Sequence, residues 1–149
     1  MKKKILAVAS GGGHWVQLLR LRPAFEGQDV AYVTVQPSYV SQVPGSRFYA
    51  VTDATRWSRW DLVKMICQVS WIVLRERPDV VITTGAAPGV VALRMGKFLG
   101  AKTMWLDSIA NVEHLSMSGE KVRSFTDLWL TQWPHLAGKN GPNCHGSVL

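Results

Sequence analysis

The sequence predicts an α/β fold, a Rossmann-like doubly wound parallel sheet, as a single domain over residues 1–149. Three observations predict it. Short apolar runs are continuous rather than alternating, as in strands that are buried on both faces. Longer stretches with helical periodicity separate these runs, and two of the runs end in glycine-rich turns. This alternation of strands and helices is typical of parallel sheets built from βαβ units.

Six apolar runs are predicted as strands, in chain order residues 5–9, 29–35, 47–51, 80–84, 102–106 and 128–131. The first (ILAVA) follows three lysines and ends at a run of glycines. The second (DVAYVTV) is rich in the β-branched and aromatic residues that strands favour. The fourth (VVITT) begins after an Arg-Pro-Asp sequence that stops the preceding helix.

Three intervening segments are predicted as helices, in chain order residues 15–21, 57–75 and 88–99. In the first, Trp15, Leu18 and Leu19 fall on one helical face. In the third, Pro88 suits the first helical turn, and Gly100 suits the position just beyond the last one. Each helix therefore connects two of the predicted strands.

The composition is that of a globular protein, since 47% of the residues are hydrophobic and 18% are charged. The formal charge of +7 favours an anionic partner: nucleic acid, anionic lipid or a phosphorylated substrate. No nucleic-acid-reading motif is recognisable, so we do not expect a nucleic-acid partner.

The cysteine usage and the N-terminus favour a cytoplasmic protein. Cys67 and Cys144 lie far apart and fit ordinary thiols of a reducing compartment. The N-terminal apolar run is shorter than the roughly 7–15 residues of a signal-peptide core. No DxD motif or metal-ligand spacing is present in the sequence, so we expect neither a metal nor a cofactor.

Two glycine-rich turns at the predicted carboxyl ends of strands mark a candidate ligand site. Glycines let the backbone approach a ligand closely, and a helix N-terminus directs free N–H groups towards an anion. A diphosphate suits this geometry, although the same glycines could simply make tight turns. The candidate diphosphate-binding residues are Ser10, Gly11, Gly12, Gly13, Thr84 and Gly85.

The first turn departs from the known nucleotide-binding fingerprints. The dinucleotide motif G-x-G-x-x-G is matched by Gly11 and Gly13, but Val16 occupies its third glycine position. Gln36, rather than an acidic residue, follows the second predicted strand, and there is no P-loop motif. These departures count against a stand-alone nucleotide-binding module, which stays an alternative of a different class.

His14 and Asp107 are the candidate catalytic residues. His14 opens the first helix beside the glycines, where it could act as a general base or merely occupy the surface. Asp107 follows the strand 102–106, where it could contact a sugar hydroxyl, act as a base or cap the next segment.

The helix 57–75 carries a candidate membrane contact. Residues 65–74 (MICQVSWIVL) are apolar almost all round, and cations lie on both sides of them. Burial against the sheet would explain this pattern, and so would an interfacial helix with tryptophans at headgroup depth and cations on anionic lipid. The stretch is too short to span a bilayer. The residues predicted to contact the membrane are Trp57, Arg59, Trp60 and Trp71.

The C-terminal third resembles a known family. Residues 107–119 (DSIANVEHLSMSG) and 126–134 (TDLWLTQWP) are similar to the membrane-anchor subunits of the dolichol-linked N-acetylglucosaminyltransferase and their bacterial polysaccharide-biosynthesis counterparts. Three earlier segments match in the same order: residues 10–14 (SGGGH), 77–79 (RPD) and 84–86 (TGA). The resemblance therefore covers nearly the whole chain.

The resemblance implies a fold equivalent to the N-terminal domain of a GT-B glycosyltransferase, with the donor-binding half on a separate chain. It implies transfer of a sugar from a UDP-sugar to a polyprenyl-diphosphate-linked glycan, in exopolysaccharide, capsule or glycolipid biosynthesis. The anchor subunit would hold the lipid-linked acceptor and recruit its partner to the inner face of the membrane. Without that partner we expect it to be inactive.

The resemblance also assigns residues. It implies that the segment 132–149 contacts the partner through Gln132, Trp133 and Pro134, and that Asn111 and Glu113 face the acceptor sugar. The eukaryotic branch has a Glu and an Arg where Asp107 and Asn111 align here, and it begins with a membrane-spanning helix. This chain is therefore more similar to the bacterial branch. A non-catalytic scaffold that activates its partner stays open as an alternative.

Overall fold

The computed structural model describes residues 1–54 and 58–148. Its strands are β1 Lys4–Val8, β2 Asp29–Thr34, β3 Arg47–Ala50, β4 Val80–Thr83, β5 Lys102–Leu106, β6 Leu128–Thr131 and β7 Asn143–Cys144. Its helices are α1 Gly13–Arg20, α2 Arg59–Glu76, α3 Ala87–Phe98 and α4 Met117–Val122. Within these residues the strands form one sheet in the order β3-β2-β1-β4-β5-β6-β7, and each neighbouring pair is parallel.

This architecture confirms the predicted Rossmann-like fold. All six predicted strands are present, and their ends differ from the prediction by no more than one residue. The three predicted helices are present as α1, α2 and α3. As predicted, Pro88 lies in the first turn of α3, and Gly100 follows that helix with a φ of 86°.

Two elements escape prediction because they carry little sequence signal. Strand β7 has only two residues, without an apolar run, and it pairs with Leu130 and Thr131 at the end of the sheet. Helix α4 has only six residues, too few to show a helical period. Its one local signal is Ser116, whose side chain caps the helix by accepting a hydrogen bond from the Gly119 N–H at 2.9 Å.

Apolar cores cover both faces of the sheet. On one face, Leu6 and Val8 of β1 pack with residues of α2 and α3, among them Met65, Val69 and Leu93. On the other face, alternate residues of the same strand pack with α1 and its neighbours, and that core comprises Ile5, Ala7, Ala9, Trp15, Leu18, Phe25, Tyr32, Val43 and Ile82. Burial of successive residues on opposite faces explains why the strand sequence is apolar without alternation.

A cluster of charges ties the edge strand β3 to the end of α2. The Arg47 guanidinium lies 2.7 Å from Asp29 and 2.9 Å from the buried carboxylate of Glu76, which also accepts a hydrogen bond from the Tyr49 hydroxyl. Burial alone would raise the pKa of Glu76, but the hydrogen bonds from Arg47 and Tyr49 outweigh it and lower the pKa. The cluster lies where β2 and β3 begin, so it stabilises the edge of the sheet opposite the glycine turns.

Candidate functional site

The two glycine-rich turns meet at the carboxyl edge of the sheet. Strand β1 pairs with β2 on one side and β4 on the other, so the strand order reverses between β1 and β4. Ligands of open α/β sheets bind at such a point, outside the carboxyl ends of the strands. The turn after β1 leads into α1 and the turn after β4 leads into α3, and the Ser10 N–H donates a hydrogen bond to the Gly85 carbonyl at 3.3 Å. The two predicted turns are therefore joined.

His14 and Thr84 hold each other through two hydrogen bonds. The Nδ1 atom of His14 lies 2.9 Å from the Thr84 carbonyl oxygen, and the Thr84 hydroxyl donates to the His14 carbonyl at 2.6 Å. Because a carbonyl oxygen can only accept, Nδ1 carries the proton in this arrangement. In the neutral ring Nε2 then has the free lone pair that a general base requires.

Gly85 is required beside this histidine for two reasons. Its φ of 124° is one that residues with a side chain rarely adopt. A Cβ atom at this position would also lie 2.7 Å from Nδ1 and Cε1 of His14, well inside van der Waals contact. The imidazole therefore rests directly on the backbone of the second turn.

The first turn leaves open space at the N-terminus of α1. Gly12 has a φ of 63°, and a Cβ at Gly12 or Gly13 would meet no atom within 4 Å. No side chain caps α1, although the Gly12 N–H donates to the Tyr39 hydroxyl at 3.2 Å. Tyr39 itself stacks on the buried ring of Trp15. The predicted anion site thus has a helix N-terminus and room for a ligand, and it lies next to the stacked rings of Tyr39 and Trp15.

Asp107 is the centre of the loop that follows β5. It is 1% exposed, and its carboxylate accepts hydrogen bonds from Trp105 Nε1 at 3.0 Å, from Asn111 Nδ2 at 3.1 Å and from both the N–H and the hydroxyl of Ser116. A Cβ at Gly119 would lie 2.7 Å from the same carboxylate. The loop 107–116 is therefore folded around Asp107, which favours a capping role. Glu113 is exposed on this loop.

Gln17 is a site residue that the sequence analysis missed. It is 4% exposed on α1, where its Nε2 donates to the Ser108 hydroxyl at 3.1 Å and its Oε1 accepts from the Ile109 N–H at 3.1 Å. Helix α1, which carries His14 one turn earlier, thereby holds the loop 107–116. No local sequence signal reports this burial, because Gln17 lies between His14 and Arg20 on the polar side of α1 and looks like an ordinary surface residue.

The three residues predicted to contact a partner differ in accessibility. Gln132 is 4% exposed; its side chain donates to Gln17 and to the Asp107 carbonyl, and it accepts from the Val148 N–H at 2.9 Å. Trp133 is half-buried and donates from Nε1 to the Ile109 carbonyl at 2.7 Å, whereas Pro134 is exposed. Direct contact with a partner is thus open to Pro134 and part of Trp133, while the side chain of Gln132 is engaged within the chain.

Helix α2 has an exposed apolar stripe. Four large side chains on its outer face are exposed: Trp60 (85%), Val63 (51%), Trp71 (54%) and Leu74 (49%). The exposed Arg59 and Lys64 lie on this helix, and the Arg75 guanidinium lies 5.2 Å from the centroid of the Trp71 ring. The opposite side packs on the sheet, so burial and an exposed apolar surface coexist. Trp57, also predicted to contact the membrane, lies outside the described residues.

Residues 1–54 and 58–148 contain neither a membrane-spanning helix nor a metal-holding cluster of side chains. No helix there is both long enough and apolar enough to cross a bilayer. No group of three or more His, Cys, Asp or Glu side chains is arranged to hold a metal ion. The carboxyl edge itself presents the His14 imidazole and the N-termini of α1 and α3.

The fold is that of solved sugar-nucleotide enzymes. The crystal structure of Acinetobacter baumannii MurG superposes with a TM-score of 0.76 at 10% identity, over 97% of this chain and 45% of that one. A UDP-N-acetylglucosamine 2-epimerase from Rickettsia bellii gives a TM-score of 0.69 at 11% identity, over 91% of this chain and 40% of that one. The chain is thus a Rossmann-like domain of the class found in GT-B glycosyltransferases and these epimerases, and it spans less than half the length of either structure.

Sequence comparison identifies the family to which this chain belongs. The family model described as "Oligosaccharide biosynthesis protein Alg14 like" matches residues 24–148, and the chain belongs to this family. It is 28% identical to the UDP-N-acetylglucosamine transferase subunit alg14 of Schizosaccharomyces pombe, over 93% of this chain and 79% of that protein. The human subunit of the same name is also 28% identical, over 91% of this chain and 77% of that protein. The family predicted from the sequence motifs is confirmed.

Proposed function

We propose that this chain is the acceptor-binding subunit of a two-component glycosyltransferase. The single observation that carries the proposal is the His14–Thr84–Gly85 contact at the strand-order reversal, beside an open helix N-terminus. The relatives named as UDP-N-acetylglucosamine transferase subunits support the same activity class. A partner chain would bind the UDP-sugar, and neither chain would transfer sugar alone.

His14 is the proposed general base. Its Nε2 would take the proton from the acceptor hydroxyl while that oxygen forms a bond to the anomeric carbon of the donor sugar. The bond from the anomeric carbon to the nucleoside diphosphate breaks at the same time, and the diphosphate leaves with the electron pair. Asp107 is less suited to this role because four protein donors already occupy its carboxylate.

The acceptor diphosphate would lie at the two turns. Backbone N–H groups at the starts of α1 and α3 would bind its oxygens, in the space left by Gly12 and Gly13. The acceptor sugar would then lie against the loop 107–116, where Glu113 is exposed and Asn111 is bonded to Asp107. No metal or other cofactor enters this proposal.

The membrane surface of the proposal is the exposed stripe of α2. Trp60 and Trp71 would lie at headgroup depth, with Arg59, Lys64 and Arg75 on anionic lipid. The chain would be cytoplasmic and peripheral on the inner face of the cell membrane, where a polyprenyl-linked acceptor is accessible. The segment 132–149 would contact the donor-binding partner.

Sugar transfer from labelled UDP-sugars to membrane lipid extracts tests the proposal. The reaction is run with this chain alone, with the candidate partner alone and with both. Activity in the mixture only is the expected result, and activity of this chain alone would contradict a separate donor-binding subunit.

Two variants then assign the chemistry. His14→Gln retains a side chain that can donate to the Thr84 carbonyl but removes the base, and we expect a loss of about 10²–10⁴-fold in kcat. Glu26→Gln, at an exposed position remote from the edge, is the matched control. Full turnover of the His14 variant would indicate a scaffold that activates its partner. Tight binding of a free nucleotide by the lone chain would instead favour a nucleotide-binding module.

A further inference from the structure

One side of α1 carries a polar ridge, which we define as His14, Gln17 and Arg20. The three residues are spaced three apart, so they lie on neighbouring turns of the helix. Each contacts a different segment. His14 contacts the turn after β4, Gln17 contacts the loop 107–116, and Arg20 donates from its guanidinium to the Val148 carbonyl at 3.0 Å. A single short helix thus contacts the turn after β4, the loop 107–116 and residues 143–148, which we call the C-terminal segment.

Two buried side-chain amides connect the C-terminal segment to the loop. The Gln132 Oε1 atom accepts from the Val148 N–H at 2.9 Å, while its Nε2 donates to the Asp107 carbonyl at 3.0 Å and to Gln17 Oε1. Gln17 continues the path to Ser108 and Ile109. Backbone groups fix the orientation of both amides, because an N–H can only donate and a carbonyl can only accept.

Val148 is the residue at which the C-terminal segment is held. Its N–H is bonded to Gln132 and its carbonyl to Arg20, so one residue is held from both sides. Release of this segment would leave the buried Oε1 of Gln132 without its donor. An unpaired buried polar atom is costly, and hydrogen bonds in a connected network strengthen one another. The position of the segment and the structure of the loop are therefore linked.

We propose that Gln17 is a positioning residue that couples the C-terminal segment 143–148 to the loop 107–116 and, through α1, to His14. A partner that binds the C-terminal segment then sets the geometry of the acceptor site without touching it. The inference rests on the proposed function for the meaning of the site. The coupling itself is a property of the lone chain and is measurable without substrate or partner.

Amide hydrogen exchange followed by mass spectrometry tests the coupling in the full chain. Arg20→Ala removes the charged donor to Val148 from an exposed position and leaves both apolar cores intact. Arg22→Ala is the matched control, because Arg22 is also exposed and donates to a backbone carbonyl, that of Gln42 at 3.2 Å. Arg20→Ala is expected to raise exchange about fivefold in both the C-terminal segment and the loop 107–116. Residues 29–50 should exchange as before, and Arg22→Ala should leave the segment and the loop unchanged.

Each other outcome overturns the proposal. Faster exchange in the C-terminal segment with an unchanged loop means that the two are independent. No change in the C-terminal segment would contradict the hold on Val148 from which the coupling is argued. An equal rise in residues 29–50 would mean that the segment opens only together with the whole fold, so that no local coupling exists.

Gln17→Met provides a second test from the middle of the path. It keeps the side-chain length but removes every hydrogen bond, so exchange should rise in the loop and, by reciprocity, in the C-terminal segment. A rise in the loop alone would contradict the coupling. If the parent chain and its partner transfer no sugar but both variants give the expected exchange changes, only the proposed function is contradicted. If sugar is transferred but the exchange changes are absent, only the coupling is contradicted.

Discussion

Gly85→Ala is the sharpest perturbation of the candidate site. The added methyl group would lie 2.7 Å from the His14 ring, about 0.7 Å inside the 3.4 Å at which ordinary contact begins. The ring cannot simply retreat, because its Nδ1 is bonded to the Thr84 carbonyl and the Thr84 hydroxyl is bonded back to the His14 carbonyl. The substitution therefore combines backbone strain with displacement of the histidine.

The other glycines of the site allow the two contributions to be separated. A φ of 124° costs a residue with a side chain about 1–3 kcal/mol, and overpacking adds about 1–3 kcal/mol, so Gly85→Ala should lower the free energy of unfolding by about 2–6 kcal/mol. Gly12→Ala has strain but no clash, since its φ is 63° with a ψ of −132° and its Cβ meets nothing, and should cost about 1–3 kcal/mol. Gly13→Ala has neither and should stabilise by about 0.5 kcal/mol through helix propensity.

Urea unfolding of these variants measures the ranking, and a double-mutant cycle with His14→Ala isolates the contact. Without the imidazole the clash is absent, so Gly85→Ala should then cost about 1–2 kcal/mol less than in the parent chain. An equal cost in both backgrounds would refute the reasoning, because it would mean that the histidine does not rest on Gly85. Equal costs for Gly85→Ala and Gly12→Ala would refute it as well.

Three further predictions concern other parts of the molecule. The pKa of Glu76 is lowered in the folded state, so its ion pair stabilises the fold at pH values above the ordinary pKa of 4.5, and this stability is lost as the pH falls through the folded-state pKa. Urea midpoints from pH 7 to pH 3 should therefore fall less steeply for Glu76→Gln than for the parent chain, and parallel curves would contradict this prediction. Trp60→Ser and Trp71→Ser should each weaken binding to anionic vesicles about tenfold in a sedimentation assay. Phe98→Ser should not weaken it, although the Phe98 side chain is as exposed (84%) as that of Trp60 (85%), and equal losses would mean non-specific hydrophobic binding. Asp107→Asn should lower the free energy of unfolding in urea by about 2 kcal/mol and speed proteolysis within residues 107–116, because the Asp107 carboxylate accepts four hydrogen bonds there. An unchanged cleavage rate would show that the structure of the loop does not depend on this carboxylate.

The strands were predictable because burial on both faces of the sheet requires a continuous run of apolar residues in the sequence. In β1, Leu6 and Val8 serve one core and Ile5 and Ala7 the other, so an unbroken apolar run is the only pattern that satisfies both faces. Strand β7 has no such pattern. It pairs with β6 because the chain returns beside it, which is a tertiary effect without a local signal.

The site was predictable where backbone geometry demands a residue type and unpredictable where side chains meet across the chain. The glycine turns and His14 could be assigned to the carboxyl edge because glycines between a strand and a helix mark a sharp turn at the strand end. Gln17 and Gln132 are 115 positions apart, and neither has a local motif that reports its burial or its partner. Asp107 was found by its position after β5, but the donors that surround its carboxylate come from folding of the loop.

The placement of α2 and of the C-terminal segment has a geometric consequence. Helix α2 packs on the face of the sheet that holds Leu6 and Val8, whereas the C-terminal segment is held by Arg20 of α1, which packs on the other face. The surface proposed for lipid and the surface proposed for the second subunit thus look in opposite directions. The sheet separates these two proposed surfaces, so neither obstructs the other. Recruitment to the bilayer and assembly of the complex can therefore occur in either order.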